Sequence, residues 1–181
     1  MDQTILAVDD NGNFLEYISK EAGHSGKGKR HLAIAVLLTN SEGQVLLQKR
    51  KHQIFDNIWD ITGATHPLHK QDGVDESLEE ATLRCLRDEW DISSTTSAKG
   101  GLRGIKEIGA FNYFAFCGEF CENEHCYLMV GDYDGQVSLN TDMGYEYKWM
   151  EKEEFLKDIV QNPQEYTPWA REGIFTLQKP V

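Results

Sequence analysis
The sequence predicts an α+β fold in which a mixed β-sheet lies between layers of helix. Three observations carry this. Runs rich in β-branched and aromatic residues, separated by turn signals, dominate the middle of the chain. Three stretches with helical spacing are scattered among those runs rather than alternating with them. No repeat, low-complexity tract or Pro/Gly/Ser linker interrupts the 181 residues, so one domain spanning 1–181 is expected.

In chain order, Thr4–Val8 and Phe14–Tyr17 flank Asp10-Asn11-Gly12-Asn13, a hairpin-turn signal. A polar, glycine-bearing stretch runs from Ser19 to Arg30. Two β-rich runs, His31–Thr39 and Gln44–Lys49, are joined by the turn Asn40-Ser41-Glu42-Gly43. Lys51 to Asp75 reads as loop with a short strand around Trp59–Thr62. Glu76 to Trp90 is the clearest helix: Leu78, Ala81, Cys85, Leu86 and Trp90 recur at helical spacing, with acids in the first turn. Its charged face would carry i,i+4 pairs such as Arg84 with Asp88. Ile105–Phe116, His125–Tyr133 and Tyr147–Met150 read as strands, and Glu151–Val160 as a helix. A last helix is expected from Thr167-Pro168, with proline at a favourable first-turn position.

With 40% hydrophobic residues, a chain this long can close a core without staples. Thirty acidic against 18 basic residues leave a net charge of −12, which argues against a nucleic-acid partner. A small anionic ligand would need a local cationic pocket or a metal. No run of 18 apolar residues is present, so no membrane span is expected. The N-terminus lacks a basic leader and the four cysteines make no disulfide framework, which predicts a soluble, cytoplasmic protein with free thiols.

Three features could carry chemistry. His24, His31 and His66 sit at element edges. Glu122-Asn123-Glu124 places two carboxylates at i and i+2, which on an extended chain share one face. Glu89 lies in the last turn of the clearest helix. Three neutral imidazoles and two carboxylates suit Mn²⁺, Zn²⁺ or Fe²⁺, whereas Mg²⁺ alone prefers oxygen ligands. Each also has a plainer reading: a hydrogen-bonded edge histidine, a solvated acidic loop, an exposed helix face. Cys117, Cys121 and Cys126 beside His125 lack the Cys-x-x-Cys spacing of tight zinc sites and read as thiols of a strand pair. His69 and His125 read as surface residues.

Taken in order, Lys20…His24…His31-Leu32-Ala33, Gln48-Lys49-Arg50, Trp59…His66-Pro67, Arg84…Glu89, Glu122-Asn123-Glu124 and Thr167-Pro168-Trp169 resemble the type I isopentenyl-diphosphate isomerases of the Nudix superfamily. The pieces are short, but their order and spacing cover most of the chain. The resemblance implies a Nudix fold. It implies that His24, His31, His66, Glu122 and Glu124 bind one divalent metal (Mn²⁺ or Zn²⁺), while Glu89 holds a Mg²⁺ that enters with a substrate diphosphate. Lys20, Arg50 and Arg84 fall at or beside diphosphate-contacting positions. Trp169 falls at the aromatic facing a carbocation, although it reads equally well as core. Glu124 and Tyr113 fall at catalytic positions. A monomer or homodimer acting on a small-molecule diphosphate would follow.

The chain departs from that pattern in four places. Ala64 stands where the family carries its proton-shuttling cysteine, and Thr65 is far too weak an acid to replace a thiol. Cys85 replaces a glutamate of the general Nudix box, at a position where the isomerases carry a diphosphate-binding arginine. Asp91 stands at the helix-capping glycine. The loop after Arg50 is about two residues short and lacks the family's lysine, for which Lys51 or His52 could substitute. Alkene isomerisation needs acid–base groups on both faces of the carbon chain, whereas hydrolysis needs a polarised diphosphate and an activated water. The expectation is therefore a metal-dependent hydrolase of an organic diphosphate, with isomerisation or simple diphosphate binding as alternatives.

Overall fold
The apolar run in His31–Thr39 (β3) supplies both faces of the sheet. Ala33, Ala35 and Leu37 enter one hydrophobic core, while Ile34, Val36 and Leu38 enter the other. A strand apolar on both faces is the signature of a sheet covered on both sides. The computed structural model describes residues 3–93 and 101–177. Before β3, Thr4–Val8 (β1) and Phe14–Ser19 (β2) form the expected antiparallel hairpin, and Ala7 of β1 pairs with His31. The polar stretch after it contains a short helix, Lys20–His24 (α1). Ser19 caps it, accepting from Ala22 N at 3.1 Å.

Gln44–Arg50 (β4) bridges to β3 only at its end, Thr39 with Val45. The segment read as one short strand is two: Trp59–Asp60 (β5) on β4, and Gly63–Thr65 (β6) on β3. Leu78–Trp90 (α2) follows, opened by a capping box between Ser77 and Glu80 and closed by Asp91 in the left-handed conformation (φ +54°). Arg103–Cys117 (β7) and Phe120–Asp132 (β8) form a long hairpin, and β8 runs parallel to β3 over nine residue pairs. Gly144–Glu151 (β9) pairs with β4, then come Lys152–Gln161 (α3) and Pro168–Leu177 (α4). The sheet is thus mixed, as expected.

Ala81, Cys85, Leu86 and Trp90 of α2 close one core. Phe155 and Ile159 of α3, with Trp169, Ala170 and Ile174 of α4, close the other. Among the described residues no helix is long and apolar enough to cross a membrane.

Four readings are corrected. Glu122-Asn123-Glu124 is strand, not loop, because β8 starts five residues before His125. His125 is buried: its Nδ1 pairs with Asn112 Oδ1 at 2.7 Å, and its ring packs against Gly12 of the first hairpin. His69 is half-buried on Asp75 at 2.6 Å. Arg84 does not pair with Asp88. Its fork is taken by Glu76, and Asp88 accepts from Arg87. The four cysteines are free; Cys117, Cys121 and Cys126 lie in the β7–β8 pair as expected.

Candidate functional site
The parallel register of β3 on β8 sets His31 beside Glu124, and the antiparallel register of β7 sets Tyr113 on the other side of Glu124. Glu122 and Glu124, two residues apart on β8, project from one face. α1 brings His24 over the end of β3, and the chain leaving β6 brings His66. The candidate ligand atoms of His24, His31, His66, Glu122 and Glu124 all lie within 4.8 Å of one another, and none of the five residues is more than 8% exposed. The imidazole centroids are 4.6–5.0 Å apart. The closest approaches are His24 Nε2 to Glu122 Oε2 at 3.1 Å, His66 Nε2 to Glu124 Oε1 at 3.0 Å and His31 Nε2 to Glu124 Oε1 at 3.5 Å.

Two details fit this set to a divalent ion. His24 Nδ1 and His31 Nδ1 face the carbonyls of Lys20 and Lys29 at 2.7 and 2.8 Å, so each donates Nδ1–H to the backbone and keeps the Nε2 lone pair for a ligand. His31 Nε2 and Glu122 Oε2 are buried without an acceptable hydrogen bond, a costly arrangement that a coordinated cation relieves. Burial, reinforced by the charges of His31, Lys20 and His24, holds the His66 imidazole well below its ordinary value and so neutral. Gly23 beside His24 is required by close approach, since a Cβ there would stand 2.9 Å from Ile5 Cδ1 and 3.0 Å from His31 Nδ1.

The cluster forms one wall of a cavity of about 510 Å³ that takes in every residue expected at the site except the fully buried His31. Its apolar side includes Ala33, Ile54, Ala64, Phe120 and Trp169; its polar side includes Lys20, Arg50, Arg84, Asp88 and Glu89. Glu89 is not one of the five clustered residues. Its Oε2 accepts from Gln48 Nε2 at 2.6 Å and its Oε1 from Cys85 Sγ at 3.2 Å. Burial pushes its carboxyl up to about 7 against the pull of those hydrogen bonds and of Arg50. Helix and sheet meet here because residue 63 is glycine: a Cβ on Gly63 would lie 2.8 Å from Cys85 Sγ.

The three cations differ. Lys20 has no ion-pair partner among the described residues; burial outweighs Glu122 and Glu124 and holds its ammonium below the ordinary lysine value. Arg84 is a strut, forked onto Glu76 at 2.8 Å twice and bonded to His66 O at 2.8 Å and Thr65 Oγ1 at 3.3 Å. Arg50 lies 4.8 Å over the Trp169 ring and donates to Asp60 at 3.2 Å. Sequence reasoning missed Asp60, and it placed Gln48 in a motif without foreseeing its bond to Glu89. Asp60 is fully buried and also accepts from Trp169 Nε1 at 2.7 Å, Thr167 Oγ1 at 2.9 Å and the Ile61 amide. An inward-facing acid in a two-residue strand leaves no periodic signal.

Residues 29–170 match the NUDIX domain family. The chain is 26% identical over 172 residues to isopentenyl-diphosphate delta-isomerase 2 of Aromatoleum aromaticum, covering 93% of this chain and 83% of that protein. It is 27% identical over 177 residues to isopentenyl-diphosphate delta-isomerase 2 of Photorhabdus laumondii, covering 96% and 92%. A crystal structure of a Deinococcus radiodurans protein superposes with a TM-score of 0.71 at 16% identity, over 98% of this chain and 100% of that one, a likeness of fold.

Proposed function
Starting from the fact that this chain belongs to the Nudix family, we propose that it is a divalent-metal-dependent hydrolase of an organic diphosphate, with an isoprenoid as the organic group and residues 1–181 acting as one unit. The observation that carries the hydrolytic reading is Ala64. It lines the apolar side of the cavity, and neither it nor Thr65 can deliver a proton to an alkene. Trp169 supports the same reading, because one face of its ring already carries the Arg50 guanidinium, which disfavours a second, transient cation nearby.

In this reading the His24, His31, His66, Glu122 and Glu124 set would hold Mn²⁺ or Zn²⁺ and Glu89 would hold Mg²⁺, which would supply Lewis-acid polarisation of the phosphoryl oxygens. Lys20 and Arg50 grip the diphosphate. Arg84 acts through others, fixing the carbonyl behind His66. Ala33, Ile54, Ala64 and Trp169 seat the hydrocarbon and exclude water from it. Tyr113 donates to Glu124 and sets the orientation of that carboxylate. The ion that Glu89 would hold would supply the polarisation that activates the attacking water, with Glu89 acting as its ligand and not as a free base. Hydrolysis consumes one water, breaks one P–O bond and leaves a monophosphate and inorganic phosphate.

A second reading, isopentenyl-diphosphate isomerisation, is favoured by the retained Tyr113–Glu124 pair and by the names of the relatives. Incubation with isopentenyl diphosphate and Mg²⁺ or Mn²⁺, followed by phosphorus NMR, separates the two. Phosphate release is expected. Dimethylallyl diphosphate with no phosphate release would replace the hydrolytic reading by the isomerase one, and tight binding with neither product would leave only a binding protein.

A further inference from the structure
The cavity is short of positive charge for the ligand proposed above. Three cations, Lys20, Arg50 and Arg84, line it against five carboxylates, Glu21, Asp88, Glu89, Glu122 and Glu124. Two of the three cations are already engaged, Arg50 on Asp60 and Arg84 on Glu76. A diphosphate entering there gains from any further positive charge within reach.

Of the two residues that follow Arg50, the structure separates their roles. Lys51 is turned away: its Nζ donates to Thr141 O at 2.8 Å and lies 5.7 Å from the Tyr145 ring, and it does not line the cavity. His52 does line it, at the exposed mouth. Its backbone is anchored by Asp56, which accepts from the His52 amide at 3.1 Å. Its Nδ1 accepts from the Ile54 amide at 3.4 Å, a long contact that leaves the proton of the neutral ring on Nε2. The charged groups facing the ring are Arg50 on β4, Lys20 on α1 and, more weakly, Glu122 on β8.

Resting on the proposed diphosphate reading, we propose that His52 is a further substrate-binding residue, and that diphosphate binding draws a proton onto its imidazole. The protein wall beside it, then the Arg50 and Lys20 cations, hold the empty-site imidazole below its ordinary value, so at neutral pH it is uncharged. An anion that neutralises Arg50 and Lys20 removes the repulsion and supplies a direct attraction, both of which raise the affinity for a proton. The Ile54 amide contact is lost when Nδ1 is protonated, but it is already long and water reaches the mouth of the cavity. The proton comes from buffer, and the bound complex carries one more positive charge at the diphosphate.

The test is calorimetric titration of the full chain with Mg²⁺ and methylenediphosphonate, whose P–C–P bridge resists cleavage. It is run at pH 7.5 in two buffers of unlike protonation enthalpy, neither of them phosphate, for wild type, His52→Gln and His52→Lys. Wild type is expected to take up roughly half a proton or more beyond what His52→Gln takes up. His52→Gln should bind about tenfold more weakly, the scale of one charge-assisted contact. His52→Lys should recover the affinity with the proton count of His52→Gln. Equal proton counts and affinities in wild type and His52→Gln would overturn the role of His52 while leaving the diphosphate reading intact. No binding by wild type would overturn that reading and this one with it.

Discussion
Glu89 shows how one side chain couples stability to chemistry. Its folded carboxyl titrates near 7, above its ordinary value of 4.5, because burial disfavours the charge. A raised carboxylate contributes its stability fully below pH 4.5, and that contribution is lost as pH climbs through about 7. The span corresponds to roughly 3 kcal/mol. In metal-free protein, Glu89→Gln is therefore expected to gain stability relative to wild type between pH 5 and 8, read as diverging urea midpoints, and with Mg²⁺ or Mn²⁺ supplied its turnover should be abolished. A constant difference across that range would show that Glu89 ionises normally. Burial pushes the Asp60 carboxyl up as well, but against more partners. It is fully buried, with Arg50, Thr167 and Trp169 on it, so Asp60→Asn leaves the Arg50 guanidinium without its carboxylate. A loss of about 3–5 kcal/mol is expected by chemical denaturation, and the double variant Asp60→Leu/Arg50→Met should lose less than Asp60→Asn alone.

At the scale of elements, α2 delivers its carboxylate only because of what borders it. Asn140 clamps its last turn, its amide donating to Glu89 O at 2.8 Å and its Nδ2 to Asp88 O at 2.9 Å. β6 lies tight against the helix at Gly63. Gly63→Ala is expected to cost about 1–3 kcal/mol through overpacking and to displace Glu89, lowering turnover more than substrate affinity. An alanine variant with wild-type kinetics and midpoint would mean the helix can shift freely. The helix itself was legible from its spacing and its first-turn acids. The five-residue α1 was not, since so short a helix carries no period and exists by virtue of the Ser19 cap and the sheet beneath it. Glu122 and Glu124 presented the right parity, yet their charge suggested solvent. A parallel partner strand and three imidazoles make their burial tolerable, and neither is visible locally.

Over the whole molecule, the five clustered candidate ligands are spread across about a hundred residues of chain and meet only through tertiary pairing. Their convergence was readable through the order of motifs rather than from composition. The Asp60 network, the Gln48 contact and the role of Arg84 as a strut were not readable, because each depends on which side chain fills space beside it. The cluster also predicts a thermal signature. Mn²⁺ at about a hundred times its Kd contributes about 2.7 kcal/mol, which for a chain this long raises Tm by roughly 5–10 °C. Chelator should reverse the rise and His24→Gln should largely remove it; a Tm indifferent to Mn²⁺ in wild type would dissolve the metal assignment.

The segment that matches the family begins at Lys29, while Lys20 and His24 stand before it, on the short helix that follows the first hairpin. A chain trimmed to Lys29 would retain β3, β4, β8 and the three longer helices. It would keep Glu89 and the floor of the cavity, but it would lose one imidazole and, among the described residues, the one lysine or arginine of the cavity not already paired with an acid. The opening hairpin is bonded into the sheet through Ala7 and His31, and the short helix it leads into carries two of the site's pins, so the socket is complete only with the residues ahead of the matched segment.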